Sequence, residues 1–262
     1  MVPVRELQPG GAYAAINGLQ VYFEVHGTGR PLVVLHGGLL TIELAFGPML
    51  PVLSQHHQVI GMDMQGHGRT ADTDRPMRLE YLVDDVATLL EHLDISRADI
   101  FGFSLGGVVA LELALRRPDV VGHLIIASVD HRPGHDEANQ PSTPETAKRV
   151  PTTADFRSMR DTYARIAPDP GHFEAFATKA HAMVNSLQGW TDEELRSISA
   201  PTLLIVGDTD FVPVSRAATM HGLIPGAQLA VLPDTTHMGV IQSPDQVLPL
   251  VQRFLGSAAS AG

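Results

Sequence analysis

Chemistry is easiest to build on the stretch Gly102-Phe103-Ser104-Leu105-Gly106-Gly107. A short apolar run from Asp99 to Phe103 enters it, and an apolar run with helical spacing, Val108 to Ala114, leaves it. That pattern predicts a strand, a one-residue turn and a helix, with a serine at the tip. Gly102 and Gly106 flank Ser104 two residues either side, where a sharp turn brings backbones together and a Cβ would clash. A serine held this way stands clear of the sheet above a helix amino terminus. There the Leu105 amide can face a developing oxyanion, so Ser104 is the candidate nucleophile.

A serine nucleophile needs a base, and the base needs an acid to orient it. His237 follows a predicted strand in Thr236-His237-Met238, and carboxylates stand at Asp130, Asp208, Asp210 and Asp234. Asp130 closes the strand after the serine turn and is the rival acid. Other histidines fit other roles. His36 is read as a structural imidazole bonded to loop backbone, and His56-His57 as exposed. His131, His135 and Asp136 lie among prolines, with no helix or hairpin to fix a ligand geometry, so no metal site is assigned. The proposed chemistry needs neither a metal nor a cofactor.

The elements that would position these groups alternate along the chain. Ala12 to Ile16, Asn17-Gly18 and Leu19 to His26 read as a hairpin on a two-residue turn. Apolar runs at Pro31–Leu35 and Gln58–Met62 read as buried strands, and Phe46 to Ser54 as a short helix. Leu79, Leu82, Val83, Val86, Leu89, Leu90 and Leu93 recur at three and four, which predicts an amphipathic helix with its acids in water. Leu124 to Val129, Thr202 to Val206 and Gln228 to Leu232 are further strands, and Pro244 to Leu255 closes the chain as a helix. Between Val129 and Thr202 lie about seventy residues of different character, Pro-rich to Pro151 and helical over Phe156–Ile166 and Phe173–Leu187. The expected architecture is α/β: a mainly parallel central sheet of about eight strands, helices on both faces and a helical cap insertion. Its core is 1–130 and 200–262, and the cap is 131–199.

Four separated motifs in this order resemble the α/β-hydrolase family over nearly the whole chain. They are His36-Gly37-Gly38, the Asp63 to Arg69 loop, the serine turn, and Gly207 to Pro213 with Thr236-His237-Met238. The resemblance implies an oxyanion donor at Gly38, paired with Leu105. It implies that Asp63 and Arg69 pin their loop. In similar sequences the catalytic carboxylate ends a Gly-x-x-Asp run, which here is Asp210. Asp208 is then expected to cap the turn and Asp234 to hold the histidine loop. The order Ser104, Asp210, His237 is that of the fold.

Composition narrows the function. The 262 residues hold 18 basic and 29 acidic side chains, a formal charge of −11, which disfavours nucleic acid and anionic membranes as partners. No apolar run approaches the roughly 20 residues of a membrane helix, and the amino-terminal residues lack signal-peptide features. The absence of cysteine excludes disulfides and thiol chemistry. A cytoplasmic protein is expected, of unspecified oligomeric state. Leu39, Phe103, Met183, Trp190, Phe211 and Met238 are candidate walls of an apolar substrate pocket. With these features, the resemblance implies a carboxylic-ester or lactone hydrolase acting through an acyl-enzyme on a small-molecule substrate. A carbon–carbon bond hydrolase, a cofactor-free perhydrolase and a slow-turnover small-molecule receptor could carry the same three residues.

Overall fold

A computed structural model of the chain describes residues 11–132 and 149–256. His135 and Asp136, to which no metal site is assigned, lie outside the described residues. Ala12–Ile16 (β1) and Leu19–His26 (β2) form an antiparallel hairpin. Its turn residues Asn17 and Gly18 both have positive φ, 48° and 83°, as the tightest hairpin turn demands. Arg30–Leu35 (β3), His57–Met62 (β4), Ala98–Phe103 (β5), Val121–Ala127 (β6), Thr202–Gly207 (β7) and Gln228–Leu232 (β8) follow. The eight strands run β1-β2-β4-β3-β5-β6-β7-β8 across one sheet. β2 pairs antiparallel with β1 and β4, and every other pairing is parallel.

The central strands are apolar on both faces because both are covered. Along β3, Val33 and Leu35 pack with the helices Leu79–His92 (α3) and Leu105–Arg116 (α4). The alternate residues Leu32 and Val34 face the other layer, where Pro244–Gly256 (α10) lies. The expected helix over Phe46–Ser54 is replaced by two single turns, Ile42–Phe46 (α1) and Leu50–Leu53 (α2). The reason is local: Thr41 caps α1 by accepting from the Leu44 amide, and Pro48, which has no N–H to give, separates the turns.

The segment between β6 and β7 carries Thr153–Ile166 (α5), a 3₁₀ turn at Pro170–His172, Phe173–Asn185 (α6) and Asp192–Ser197 (α7). Reciprocal capping pairs, Thr152 with Asp155 and Thr191 with Glu194, open α5 and α7. These helices lie against loops at the carboxyl ends of the strands. Asp72, beyond β4, accepts from Lys179 (2.7 Å) and His172 (3.1 Å) of the segment, and Arg165 donates to Glu43 at 2.8 Å. Burial raises the Asp72 pKa, but those bonds and one from Gln65 outweigh it and hold the carboxyl below its ordinary range. Two further helices, Val214–Leu223 (α8) and His237–Gln242 (α9), follow β7 and β8.

Candidate active site

The serine turn has the strain its sequence predicts. Ser104 sits between β5 and α4 at φ 51°, ψ −118°, a conformation L-residues rarely adopt and that surrounding structure must enforce. A Cβ on Gly102 would lie 2.2 Å from the Gly106 carbonyl oxygen, and one on Gly106 only 2.0 Å from that of Leu35. Both positions therefore require glycine by contact with backbone. Leu105 is the first residue of α4, so its N–H is one of those no helix bond can satisfy.

The loop leaving β3 comes beside it. Leu40 N–H closes a turn on the Gly37 carbonyl at 3.2 Å, with Leu39 at φ 60°. That bond leaves the Gly38 amide out of the turn's own pairing. A Cβ on Gly38 would meet the Leu105 side chain at 4.0 Å and nothing nearer, so Gly38 lies beside Leu105 with open space about its Cα. β3 and β5 are adjacent strands whose connections leave in opposite directions, the place where open α/β sheets form their ligand crevice.

His36 is structural. Its Nδ1–H donates to the Gly37 carbonyl at 2.8 Å and its Nε2 accepts from the Met64 amide at 3.1 Å, which fixes a neutral tautomer. Complete burial depresses its pKa well below the imidazole range, and His67 beside it adds to this. Asp63 does pin its loop: it accepts from the amides of Ile42 and Arg69, both at 3.0 Å. Burial pushes its pKa up to about 6 against those bonds.

From the far side of the crevice come the acid and the base. Thr236 caps α9 by accepting from the Gly239 amide, so His237 is the first residue of that helix. Ser104 Oγ lies 3.0 Å from His237 Nε2, and His237 Nδ1 lies 2.9 Å from Asp210 Oδ1. A carboxylate only accepts, so Nδ1 carries the proton and Nε2 is left to accept from the serine. Asp210 is buried, and the same Oδ1 also accepts from the Val212 amide at 2.9 Å. Asp130 is engaged elsewhere. It accepts from the Arg132 amide at 2.9 Å and lies 3.6 Å from Arg216. Asp208, expected to cap its own turn, reaches across to the histidine loop: its carboxylate accepts from the Thr235 amide at 3.1 Å and ties that loop down. Asp234, expected in that role, is exposed and supplies instead a left-handed turn residue at φ 49°.

The proposed wall residues separate into groups. Phe103 and Phe211 both touch the imidazole, with ring centroids 4.9 and 4.0 Å away. Leu39 is half-buried in the turn beside Gly38. Met238 packs into the layer under α9, and Met183 is buried with α6. Trp190 donates its indole N–H to Glu112 of α4 at 2.7 Å. Eight residues of helix, about 12 Å, separate Glu112 from Ser104, so this contact braces the insertion against α4. A cavity of about 400 Å³ lies at the opposite edge of the sheet, lined by Arg30, Arg97 and Asp99 among others, and holds none of these residues.

A sheet of this strand order, with serine, imidazole and carboxylate joined at its carboxyl edge, defines a class. The chain belongs to the α/β-hydrolase family, whose model matches residues 32–250. Its relatives are named for different substrates. It is 29% identical to a 2-hydroxy-6-oxo-2,4-heptadienoate hydrolase of Pseudomonas putida, with 94% of this chain and 96% of that protein covered. It is 28% identical to a pimeloyl-acyl-carrier-protein methyl ester esterase of Nitrosospira multiformis, covering 90% of this chain and 98% of the other. The crystal structure of an enol-lactonase from Burkholderia xenovorans LB400 superposes with a TM-score of 0.71 at 23% identity, over 93% of this chain and 99% of that one. That likeness is one of fold. No described helix is long and apolar enough to cross a membrane.

Proposed function

We propose that this hydrolase cleaves small carboxylic esters or lactones through an acyl-enzyme on Ser104. The observation that carries the reading is the unbroken line Ser104 Oγ, His237, Asp210, with both steps at hydrogen-bond distance. In the proposed mechanism His237 Nε2 takes the hydroxyl proton as Ser104 attacks the acyl carbon. The Gly38 and Leu105 amides receive the oxyanion, and Asp210 balances the imidazolium. His237 returns the proton to the leaving alcohol, then activates water to release the acid. In a lactone the alcohol stays tethered and can reclose the ring, so that water must arrive promptly.

An uncharged acyl group is favoured because the side chains nearest the proposed catalytic groups are apolar, Phe103 against the imidazole and Leu39 beside Gly38. The helices between β6 and β7 act in this reading as a cap that closes the site to long-chain lipid. Each methylene buried under it contributes about 0.8 kcal/mol until the space is filled. A second reading, cleavage of a carbon–carbon bond, is supported by the named activity of the Pseudomonas putida relative. The deciding measurement is kcat/KM over p-nitrophenyl esters of increasing chain length, a lactone panel and a ring-cleaved dienoate. Esters or lactones should turn over many times, with the constant climbing and then falling sharply as the acyl chain lengthens. Turnover confined to the dienoate, or rising through emulsified long-chain esters, would overturn the proposal. A single slow turnover would point to a receptor.

A further inference from the structure

Two aromatic residues adjoin the proposed triad in sequence: Phe103 precedes Ser104, Phe211 follows Asp210, and both rings reach His237. The Phe211 ring lies 4.0 Å from the imidazole centroid with an interplanar angle of 28°, a stacked contact, while Phe103 is tilted at 43°. Phe211 is nevertheless 42% exposed. An apolar ring left that open is not core packing, and the imidazole is the ring it stacks on.

We propose that Phe211 is a positioning residue for His237, acting through its π face and not primarily as a wall of the acyl pocket. Two physical consequences follow from the stack. The hydrogen bonds to Asp210 and Ser104 fix the ring nitrogens, which define a line. The imidazole can still rock about that line, and a ring lying flat against it removes the motion. Rocking would swing the Nε2 lone pair off the serine hydroxyl, and the geometry of that bond sets the rate of proton transfer. The second consequence is electrostatic. The imidazole becomes cationic only as Ser104, or later water, attacks, and an aromatic face attracts a cation. An interaction that appears with the transition state raises kcat and leaves ground-state binding alone.

This inference rests on the triad reading above, and the experiment separates the two. The variants are Phe211→Leu, which keeps apolar bulk without a π face, and Phe211→Tyr, which keeps the face. The readouts are kcat and KM on p-nitrophenyl butyrate, and the rate at which a fluorophosphonate modifies Ser104. In Phe211→Leu, kcat and the modification rate should fall together by roughly 3- to 30-fold, the span of cation–π contacts from exposed to desolvated settings. KM should stay within about twofold, and Phe211→Tyr should restore both rates. Unchanged rates with a raised KM would make Phe211 a substrate wall and overturn the proposal. An equal fall in Phe211→Tyr would overturn it too, since the π face would then be irrelevant. If the unaltered protein is not modified at Ser104, the triad reading itself fails and this inference falls with it.

Discussion

Replacing Asp210 by asparagine tests the site most directly. The change keeps size and shape and removes one charge from a buried position 2.9 Å from the imidazole Nδ1. During attack that imidazole becomes a cation. Two unit charges at this separation, in an effective dielectric of 20, attract by about 6 kcal/mol. At 1.36 kcal/mol per decade the loss is on the order of 10⁴ in kcat. The hydrogen bond itself survives the change: the Val212 amide and His237 Nδ1 both meet Oδ1, so an asparagine carbonyl in that place accepts from both, its NH₂ takes the place of Oδ2, and the loss is that of the charge. Asp130→Asn is the control, because its carboxylate is occupied by the Arg132 amide and Arg216, and it should change kcat by less than about tenfold. Steady-state kinetics on p-nitrophenyl butyrate, with the fluorophosphonate modification rate of Ser104, reads both variants. A larger loss in Asp130→Asn than in Asp210→Asn would refute the assignment of the acid.

Ser104→Ala should abolish fluorophosphonate incorporation and lower turnover by 10⁴-fold or more, since nucleophile and base act as one unit; incorporation that persists would place the nucleophile elsewhere. Gly106→Ala drives a Cβ to 2.0 Å from the Leu35 carbonyl oxygen, so the unfolding free energy from urea melts should drop by more than the roughly 1–3 kcal/mol of ordinary overpacking, and an unchanged value would show that the turn can yield. His67 is buried, and that burial lowers its pKa from 6.5 to about 4. Across that window the unfolded chain binds more protons than the folded one, so stability is lost as pH falls, by about 3 kcal/mol in all. The stability advantage of the unaltered protein over His67→Leu should therefore shrink by that amount between pH 7 and pH 4, and parallel urea curves would contradict it; Asp63, with a pKa raised to about 6, acts in the opposite sense but is common to both proteins.

Features set within a few residues were legible in the chain before any folding. The two glycines around Ser104, the Asn17-Gly18 turn and the apolar strand runs are each dictated by close contact, positive φ or burial over that short range. Their alternation along the chain was enough to imply a parallel sheet with both faces covered. It also put Ser104, Asp210 and His237 at strand ends. What it did not contain was the order of strands. That order brings the loop after β3 against the serine turn after β5 and so sets Gly38 beside Leu105. The break between α1 and α2 depended on the Thr41 cap and Pro48 outweighing an apolar run. Which aspartate meets His237 was settled by tertiary contacts. Asp130 and Asp210 both follow strands and each accepts from the amide two residues on, but the fold sets Arg216 beside Asp130 and His237 beside Asp210. The contact of Phe211 with His237 joins residues twenty-six positions apart, one in the loop after β7 and one opening α9, and no local pattern encodes it. Local sequence selects conformations over a turn or two, whereas side chains from distant strands meet only after the sheet has fixed where every loop must emerge.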